Sequence, residues 1–298
     1  MKHFINLDDL SSNDLNQIID TAIALKKQHK AGEINETLKN KTLAMIFDKS
    51  STRTRVSFEA GMAQLGGHAL FLSDRDIQLG RGEPTTDTAI VVSSMVDAIM
   101  MRVSSHDDIN TFAQHGSVPI INALSDESHP CQLLADMMTY KEHKGSIKGK
   151  KVAWIGDGNN MCHTYMQAAK AFGFTLNIAT PKGYEPDQDF INSYESHIQL
   201  FNNAEQACQN ADLIVTDVWA SMGQETEQAK RELAFKDFQV TDALMQQANA
   251  DASFMHCLPA HRGEEVSANV IDGKQSLVWD EAENRLHAQK SLLLYLLD

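Results

Sequence analysis

A short segment near residue 50 combines hydroxyl and guanidinium side chains in a pattern suited to anion binding. Residues 51–55 read STRTR, follow an apolar stretch and precede residues with helical spacing. Free backbone N–H groups at the positive end of a helix dipole would therefore lie beside two guanidiniums, and all of these groups attract an anion. The pattern indicates a phosphate site, although an N-capped helix with two solvated arginines would produce the same letters.

Two further polar groups follow apolar stretches in the same half of the chain. Arg102 ends one stretch, and the segment HPCQ at 129–132 follows another. An imidazole can donate to a carbonyl oxygen, and a glutamine amide can bond an NH2 group. Ligands of an open parallel sheet bind at the carboxyl ends of its strands, so these groups and STRTR indicate one common site.

The chain is strongly acidic, with 26 Lys and Arg against 40 Asp and Glu and a formal net charge of −14. Such a charge repels nucleic acid and anionic membranes at long range, so we expect no partner of either kind. It also repels a phosphorylated substrate. Any phosphate site must therefore be built locally from arginines and backbone N–H groups.

The sequence also bears on compartment and cofactors. The first residues lack the apolar core of a secretory signal, and no apolar run approaches the roughly 18 residues that span a bilayer. We therefore expect a cytoplasmic protein. The four cysteines have no CxxC spacing, which predicts reduced thiols and neither a metal nor a cofactor.

Strand-like and helix-like segments alternate along both halves of the chain. This alternation predicts an α/β protein with two domains, each a parallel sheet flanked by helices. The predicted strands are 42–47, 68–73, 97–103, 118–124, 151–156, 175–180, 212–217 and 253–258. The predicted helices are 8–30, 50–67, 86–95, 109–115, 129–143, 161–172, 204–209 and 281–297. We place the domains at 1–140 plus 283–298 and at 141–282, with the C-terminal helix crossing back to the first domain.

STRTR together with HPCQ resembles the aspartate/ornithine carbamoyltransferase family. In the second half, DVWASMG at 217–223 and HCLP at 256–259 resemble the ornithine-using branch of that family. The resemblance extends over nearly the whole chain. It implies transfer of the carbamoyl group of carbamoyl phosphate to the side-chain amine of L-ornithine, which gives L-citrulline and phosphate in arginine biosynthesis.

The resemblance also implies roles for individual residues. Carbamoyl phosphate would be bound by Ser51, Thr52, Arg53, Thr54, Gln78, Arg102, His129, Pro130, Cys131, Gln132, Cys257, Leu258 and Arg285. Catalytic roles would fall to Arg53, Arg102, His129 and Cys257, and ornithine would be bound by Asn160, Asp217, Ser221 and Met222. Gln78 would reach the site of a neighbouring subunit, which implies a homo-oligomer, most simply a trimer.

Several alternatives stay open on the sequence. The acceptor amine could instead belong to aspartate, acetylornithine or putrescine, and the chain could be a non-catalytic ligand-binding relative. The proton of the attacking amine could pass to the leaving phosphate or to a Cys257 thiolate.

A dinucleotide site is disfavoured. VAWIGDGNNM has Met161 where the third glycine of the fingerprint belongs, and no acid ends the next strand. We expect Gly156 and Gly158 to let the loop approach ornithine, with Asn160 pointing into the cleft.

Overall fold

Two parallel sheets organise the chain in the computed structural model, which describes residues 1–73, 82–220 and 227–297. The chain divides into two compact units. Unit 1 comprises Met1–Met138 with Glu283–Asp298, and unit 2 comprises Thr139–Ala282.

The sheet of unit 1 has the order β2-β1-β3-β4, and every pairing is parallel. Its strands are β1 (Thr42–Phe47), β2 (His68–Ser73), β3 (Ala98–Arg102) and β4 (Ile120–Leu124). The central strands β1 and β3 are buried at every position except Thr42, as strands of a sheet covered on both faces are. Residues that follow their carboxyl ends are therefore brought together.

Serine caps begin three of the first helices of the chain. Ser11, Ser51 and Ser105 each accept from the backbone N–H three residues later, which satisfies a donor that the first turn leaves free. The α-helices that begin before residue 139 are α1 (Ser12–Lys30), α2 (Thr52–Gln64), α3 (Thr85–Ser93), α4 (His106–His115) and α5 (Pro130–Lys144). The last of these continues into unit 2.

The sheet of unit 2 has the order β7-β6-β5-β8-β9 and is also parallel throughout. Its strands are β5 (Lys151–Ile155), β6 (Thr175–Ala179), β7 (Ile198–Phe201), β8 (Leu213–Thr216) and β9 (Ser253–His256). The helices of this unit are α6 (Asn160–Phe172), α7 (Gln188–Tyr194), α8 (Ala204–Cys208), α9 (Gln228–Phe235), α10 (Asp242–Met245) and α11 (Ala268–Ile271).

The C-terminal helix α12 (Val278–Leu297) begins in unit 2 and, from Glu283 onward, belongs to unit 1. Lys26 of α1 donates to Asn284 at 2.7 Å, and Ser291 donates to the carbonyl oxygen of Ile18 at 2.7 Å. The predicted fold class is therefore confirmed, including the return of the last helix to the first domain.

Some predicted boundaries were wrong. The expected helix over 8–30 is a 3-10 turn at Leu7–Asp9 followed by α1, because Asp9 accepts from the backbone N–H of Asn6 and Ser11 then caps the longer helix. Helices α4 and α12 each begin three residues before their predicted starts. No helix among the described residues is long and apolar enough to cross a membrane.

Candidate active site

The N-terminus of α2 carries the hydroxyl and guanidinium segment at the carboxyl end of β1. The side chain of Ser51 accepts from the backbone N–H of Thr54 at 3.2 Å. Thr52 begins the helix, Arg53 is partly exposed and Thr54 is buried. The segment is thus a capped helix start whose first turn holds a guanidinium, as anion binding requires.

Arg102 ends the neighbouring strand β3, where it lies opposite Phe47 in the register of the sheet. The residue is buried, and its carbonyl oxygen accepts from the backbone N–H of Asp48 at 3.1 Å. The Asp48 carboxylate accepts in turn from the backbone N–H of Ser104 at 2.6 Å. The loops after β1 and β3 therefore hold each other in place.

His129 is placed by a buried polar loop between β4 and α5. The hydroxyl of Ser125 accepts from the backbone N–H of Ser128 at 3.2 Å, and the amide of Asn122 donates to the hydroxyl of Ser128 at 3.0 Å. His129 is buried and stands immediately before Pro130, the first residue of α5. The ring is thus carried by a loop whose own polar groups are bonded.

Arg285 of α12 joins α5 to α2 within unit 1. Its guanidinium donates to the side-chain oxygen of Gln132 at 2.5 Å and to the hydroxyl of Thr54 at 3.3 Å. The amide nitrogen of Gln132 donates to the buried Asp136 at 2.9 Å. The side-chain oxygen of Gln289 accepts from Arg285 at 3.0 and 3.2 Å when its amide nitrogen is turned toward the Ser57 hydroxyl. Arg285 is therefore fixed in position.

The three arginines surround the His129 imidazole closely enough to affect its protonation. Burial lowers the pKa of His129 well below its ordinary value near 6.5. Positive charges lower this pKa further, in the order Arg285, Arg102 and Arg53. The imidazole is therefore neutral at pH 7 and can donate one N–H bond without adding a fourth positive charge.

Other residues predicted around carbamoyl phosphate have different environments. Cys131 is buried, and its thiol donates to the carbonyl oxygen of Asn122 at 3.3 Å. Burial raises the pKa of the Cys131 thiol to about 12, so its side chain belongs to the core and only its backbone remains for ligand contact. Gln78 lies outside the described residues.

Unit 2 assembles a second polar group at the carboxyl ends of β8 and β9. Asp217 follows β8 and is 8% exposed. The thiol of Cys257, which follows β9, donates to one carboxylate oxygen of Asp217 at 3.2 Å. The amide of Asn159 donates to the other oxygen at 2.9 Å. Asp217 is thus an oriented carboxylate with two neighbouring donors, suited to receiving a cationic amine.

Family models match both halves of the chain. The model of the aspartate/ornithine carbamoyltransferase carbamoyl-P binding domain matches residues 2–142, and the model of the Asp/Orn binding domain of the same family matches residues 148–296.

The chain belongs to the aspartate/ornithine carbamoyltransferase family.

Individual members of the family are similar over their full length. The chain is 76% identical to the ornithine carbamoyltransferase of Ruthia magnifica subsp. Calyptogena magnifica over 298 residues, the whole of both chains. The crystal structure of ornithine carbamoyltransferase from Burkholderia thailandensis is 51% identical, with a TM-score of 0.93 and coverage of 100% of this chain and 99% of that one. The ornithine carbamoyltransferase from Pyrococcus furiosus is 50% identical, with a TM-score of 0.95 and coverage of 99% and 97%.

The sequence motifs do not predict the role of Asn159. Asn159 is the N-cap of α6, and its side-chain oxygen accepts from the backbone N–H groups of Met161 and Cys162 at 3.0 and 3.2 Å. The signal was present, because asparagine before an apolar helix is a preferred cap. The resemblance implied a role for Asn160 instead, which is the first helical residue and whose carbonyl oxygen accepts from the Thr164 hydroxyl at 2.6 Å.

In the glycine loop after β5, Gly158 lies directly against another part of the chain. A Cβ atom at this position would collide with the backbone of Glu185 and Pro186. A glycine is therefore required at position 158, because the loop after β5 lies against the backbone of residues 185–186. At Gly156, where φ is +139°, the nearest atom to such a Cβ would be the Thr216 hydroxyl oxygen at 3.3 Å.

Leu258 completes the loop after β9, and its backbone adopts a left-handed conformation with φ of +57°. Ser221 and Met222, predicted to complete the ornithine pocket, fall in 221–226, outside the described part of the chain.

Among the described residues, two groups in unit 2 have the composition of a metal site, one of them being the set His261, Glu264 and Glu265, which ranges from exposed to buried. The other lies at the Cys257 loop. Asp217, His256 and Cys257 each offer a ligand atom within 4.8 Å of the others. However, Nδ1 of His256 accepts from the backbone N–H of Leu258 at 2.8 Å, and Nε2 contacts Glu265 at 3.2 Å. Both ring nitrogens are thus engaged, and an ion could bind here only by displacing one of these bonds.

Proposed function

We propose that this chain is an ornithine carbamoyltransferase, which transfers the carbamoyl group of carbamoyl phosphate to the side-chain amine of L-ornithine and releases L-citrulline and phosphate. The observation that carries the proposal is the group of three guanidiniums around a neutral imidazole in unit 1. Such a group gives the site a local positive charge that attracts an anion, although the molecule as a whole has a net charge of −14.

The arginines of unit 1 provide the electrostatic part of the reaction. Attack on the carbamoyl carbon moves negative charge onto the carbonyl oxygen and then onto the departing phosphate. We assign stabilisation of this charge to Arg53, Arg102 and Arg285, with His129 donating an N–H bond to the carbonyl oxygen. The bond between Arg285 and Gln132 would orient the Gln132 amide toward the carbamoyl NH2 group.

The remaining predicted contacts to carbamoyl phosphate are kept as proposals. They come from the backbone and side chains of Ser51, Thr52 and Thr54, from Gln78, and from Pro130, Cys131, Cys257 and Leu258.

Unit 2 supplies the acceptor in this proposal. The carboxylate of Asp217 would bind the α-amino group of ornithine, and Asn160, Ser221 and Met222 would complete the pocket. The side-chain amine of ornithine has a pKa near 10.4, so making it neutral at pH 7 costs about 4.6 kcal/mol. The proton acceptor is either the leaving phosphate or a Cys257 thiolate.

The proposed domains follow the same division of labour. Residues 1–140 plus 283–298 would bind carbamoyl phosphate, and residues 141–282 would bind ornithine. The product assigns the reaction to arginine biosynthesis, and we place the enzyme in the cytoplasm. Its four free cysteines are consistent with a reducing compartment.

We further propose a homotrimer in which Gln78 reaches a neighbouring site. Unit 1 exposes apolar side chains on α2, β2, α3 and the segment after α3, which contact with a second subunit would cover. They are Val56, Leu70, Ile90, Val91 and Met95. Light scattering after size-exclusion chromatography tests this, and the mass of a monomer would contradict it.

The experiment that tests the function compares acceptor amines. Purified protein is incubated with carbamoyl phosphate and, in turn, ornithine, acetylornithine, aspartate or putrescine, and the ureido product is quantified. We expect ornithine to exceed the other three by at least roughly a hundredfold in kcat/KM, since a site built around polar groups rejects substrates that leave them unpaired. Comparable rates with putrescine would overturn the assignment of Asp217.

An Asp217→Asn variant separates the two substrates. The amide has nearly the same shape but lacks the negative charge, so the KM for ornithine should rise by roughly tenfold to a hundredfold. The affinity for carbamoyl phosphate should stay within about twofold of wild type, a ratio worth only about 0.4 kcal/mol. Equal loss for both substrates would argue against the division between the two units.

A further inference from the structure

Glu265 and His256 form a buried pair beside the Cys257 loop. Both side chains are fully buried, and one carboxylate oxygen of Glu265 lies 3.2 Å from Nε2 of the His256 ring. The same oxygen accepts from the backbone N–H of His261 at 2.6 Å. The carboxylate thus joins the end of β9 to the segment that follows the Cys257 loop.

The hydrogen bonds assign the tautomer of His256. Nδ1 lies 2.8 Å from the backbone N–H of Leu258 and must accept from it. The ring proton of a neutral imidazole therefore sits on Nε2, where it is donated to Glu265. With the proton on the other nitrogen, both contacts would be lost.

The imidazole ties together the residues on either side of Cys257. The backbone N–H of His256 donates to the buried carboxylate of Glu281 at 3.0 Å, which fixes the residue before the cysteine. The His256 ring holds the backbone N–H of Leu258, the residue after it. Leu258 has a φ of +57°, which a leucine rarely adopts without support from its surroundings.

The carboxylate of Glu265 is not explained by a contribution to the stability of the fold. Its second oxygen, Oε2, is buried and has no hydrogen-bond partner among the residues that the structure describes. Nδ1 of the His261 ring lies 4.0 Å from this oxygen, too far for a hydrogen bond. A buried, half-satisfied carboxylate destabilises a fold, so its presence requires another reason.

We infer that Glu265 is a positioning residue for the carbamoyl transfer: through His256 it holds the backbone on both sides of Cys257 and thereby sets the thiol against Asp217. The inference rests on the proposed function, in which Asp217 binds ornithine and Cys257 contacts carbamoyl phosphate and can take up the proton of the amine. Cys257 is held 3.2 Å from the carboxylate that would bind the substrate. A displacement of about 1 Å at such a site can lower turnover by roughly a hundredfold.

The test compares Glu265→Ala and Glu265→Gln with matched changes at Glu264. Glutamine keeps an oxygen that can accept from His256 and His261, whereas alanine removes it. Glu264 is the adjacent carboxylate, is partly exposed and contacts only the His261 ring at 3.6 Å among its described ion pairs. Glu264→Ala therefore serves as the control for loss of a carboxylate at this loop.

We expect Glu265→Ala to lower kcat, and to lower kcat/KM for ornithine by roughly tenfold to a hundredfold. Glu265→Gln should recover most of the loss, and Glu264→Ala should resemble wild type. If Glu265→Ala matches Glu264→Ala in both kinetic constants, the inference is wrong.

A second readout does not depend on activity. Cys257 is the partly exposed cysteine, whereas Cys131, Cys162 and Cys208 are buried and have pKa values raised by burial. Alkylation by iodoacetamide, followed by peptide mass spectrometry, should therefore report on Cys257 in the folded protein. We expect the rate at Cys257 to rise by at least roughly threefold in Glu265→Ala, because the thiol leaves Asp217. An unchanged rate would overturn the inference.

The buried cysteines also report whether the variant folds, since they react only in unfolded protein. If Glu265→Ala exposes them, Glu265→Asp replaces it, with Glu264→Asp as its control. The shorter carboxylate withdraws from His256 and should change the same two readouts in the same direction. Were wild type to form no citrulline, the proposed function would fail, while the alkylation rates would still decide whether Glu265 positions Cys257.

Discussion

Replacing Asn159 should separate the cap of α6 from the orientation of Asp217. The side-chain oxygen of Asn159 caps the helix, and its amide nitrogen donates to Asp217 at 2.9 Å. Asn159→Ser keeps a capping oxygen but is too short to reach the carboxylate. Asn159→Ala loses both functions.

The magnitudes follow from these contacts. A hydrogen bond to a charged group contributes about 1.5–3 kcal/mol, so Asn159→Ser should destabilise unit 2 by about 2 kcal/mol. Loss of the cap adds about 1 kcal/mol, which places Asn159→Ala near 3 kcal/mol. With one of its donors gone, Asp217 should bind ornithine less well, and KM for ornithine should rise about tenfold in both variants.

Tryptophan fluorescence provides a selective assay. The three tryptophans, Trp154, Trp219 and Trp279, all lie in unit 2, so urea unfolding followed by their emission reports on that unit. Steady-state citrulline formation gives the kinetic constants. If Asn159→Ser has the unfolding free energy and kinetic constants of wild type while Asn159→Ala loses only about 1 kcal/mol of unfolding free energy, the contact with Asp217 contributes nothing. That result would refute the prediction.

Three further changes test other parts of the fold. Burial, and then the charge of Lys290, lowers the pKa of His287 from its ordinary value near 6.5 to about 4. On acidification His287 is protonated in the unfolded chain before it is protonated in the folded one. The free energy of unfolding should therefore fall by up to about 3 kcal/mol as the pH drops from 6.5 to 4. His287→Gln should make the free energy of unfolding less dependent on pH, as measured by urea unfolding followed by circular dichroism. Gly158→Ala should cost about 1–3 kcal/mol through contact with the Pro186 backbone, which an unchanged fluorescence midpoint would contradict. Arg231→Met should cost about 3–5 kcal/mol in the same assay, because Asp157, now 2.7 Å from the guanidinium, would remain buried and unpaired.

The parts of the fold that could be predicted from the sequence are those where one physical cause dominates. Strand β1 was predicted at its observed bounds because a strand covered on both faces is a continuous apolar run. Strand β7 was missed because it is an edge strand with two exposed positions, so its apolar pattern is interrupted. The short helices α7, α10 and α11 have too few turns to show a period.

The candidate site was predictable in pieces but not in its connections. The segments STRTR and HPCQ were predicted as binding segments because their residue types suit a polar ligand and each follows a predicted strand. The bond between Arg285 and Thr54 joins residues 231 positions apart, and only the packing of α12 brings them together. Asn159 shows a different limit, since a helix start displaced by one residue decides which of two adjacent asparagines is the cap.

The pKa of His129 explains why a histidine suits this position better than a fourth cation. A lysine at this buried position would bring another charge beside three guanidiniums, and its desolvation would add to their repulsion. Histidine loses its proton in the same field and remains a donor. In the proposed function the arginines therefore have two effects: they would attract the anion that the acidic molecule repels at long range, and they keep the imidazole neutral so that it could donate to the oxygen of that anion's carbamoyl group.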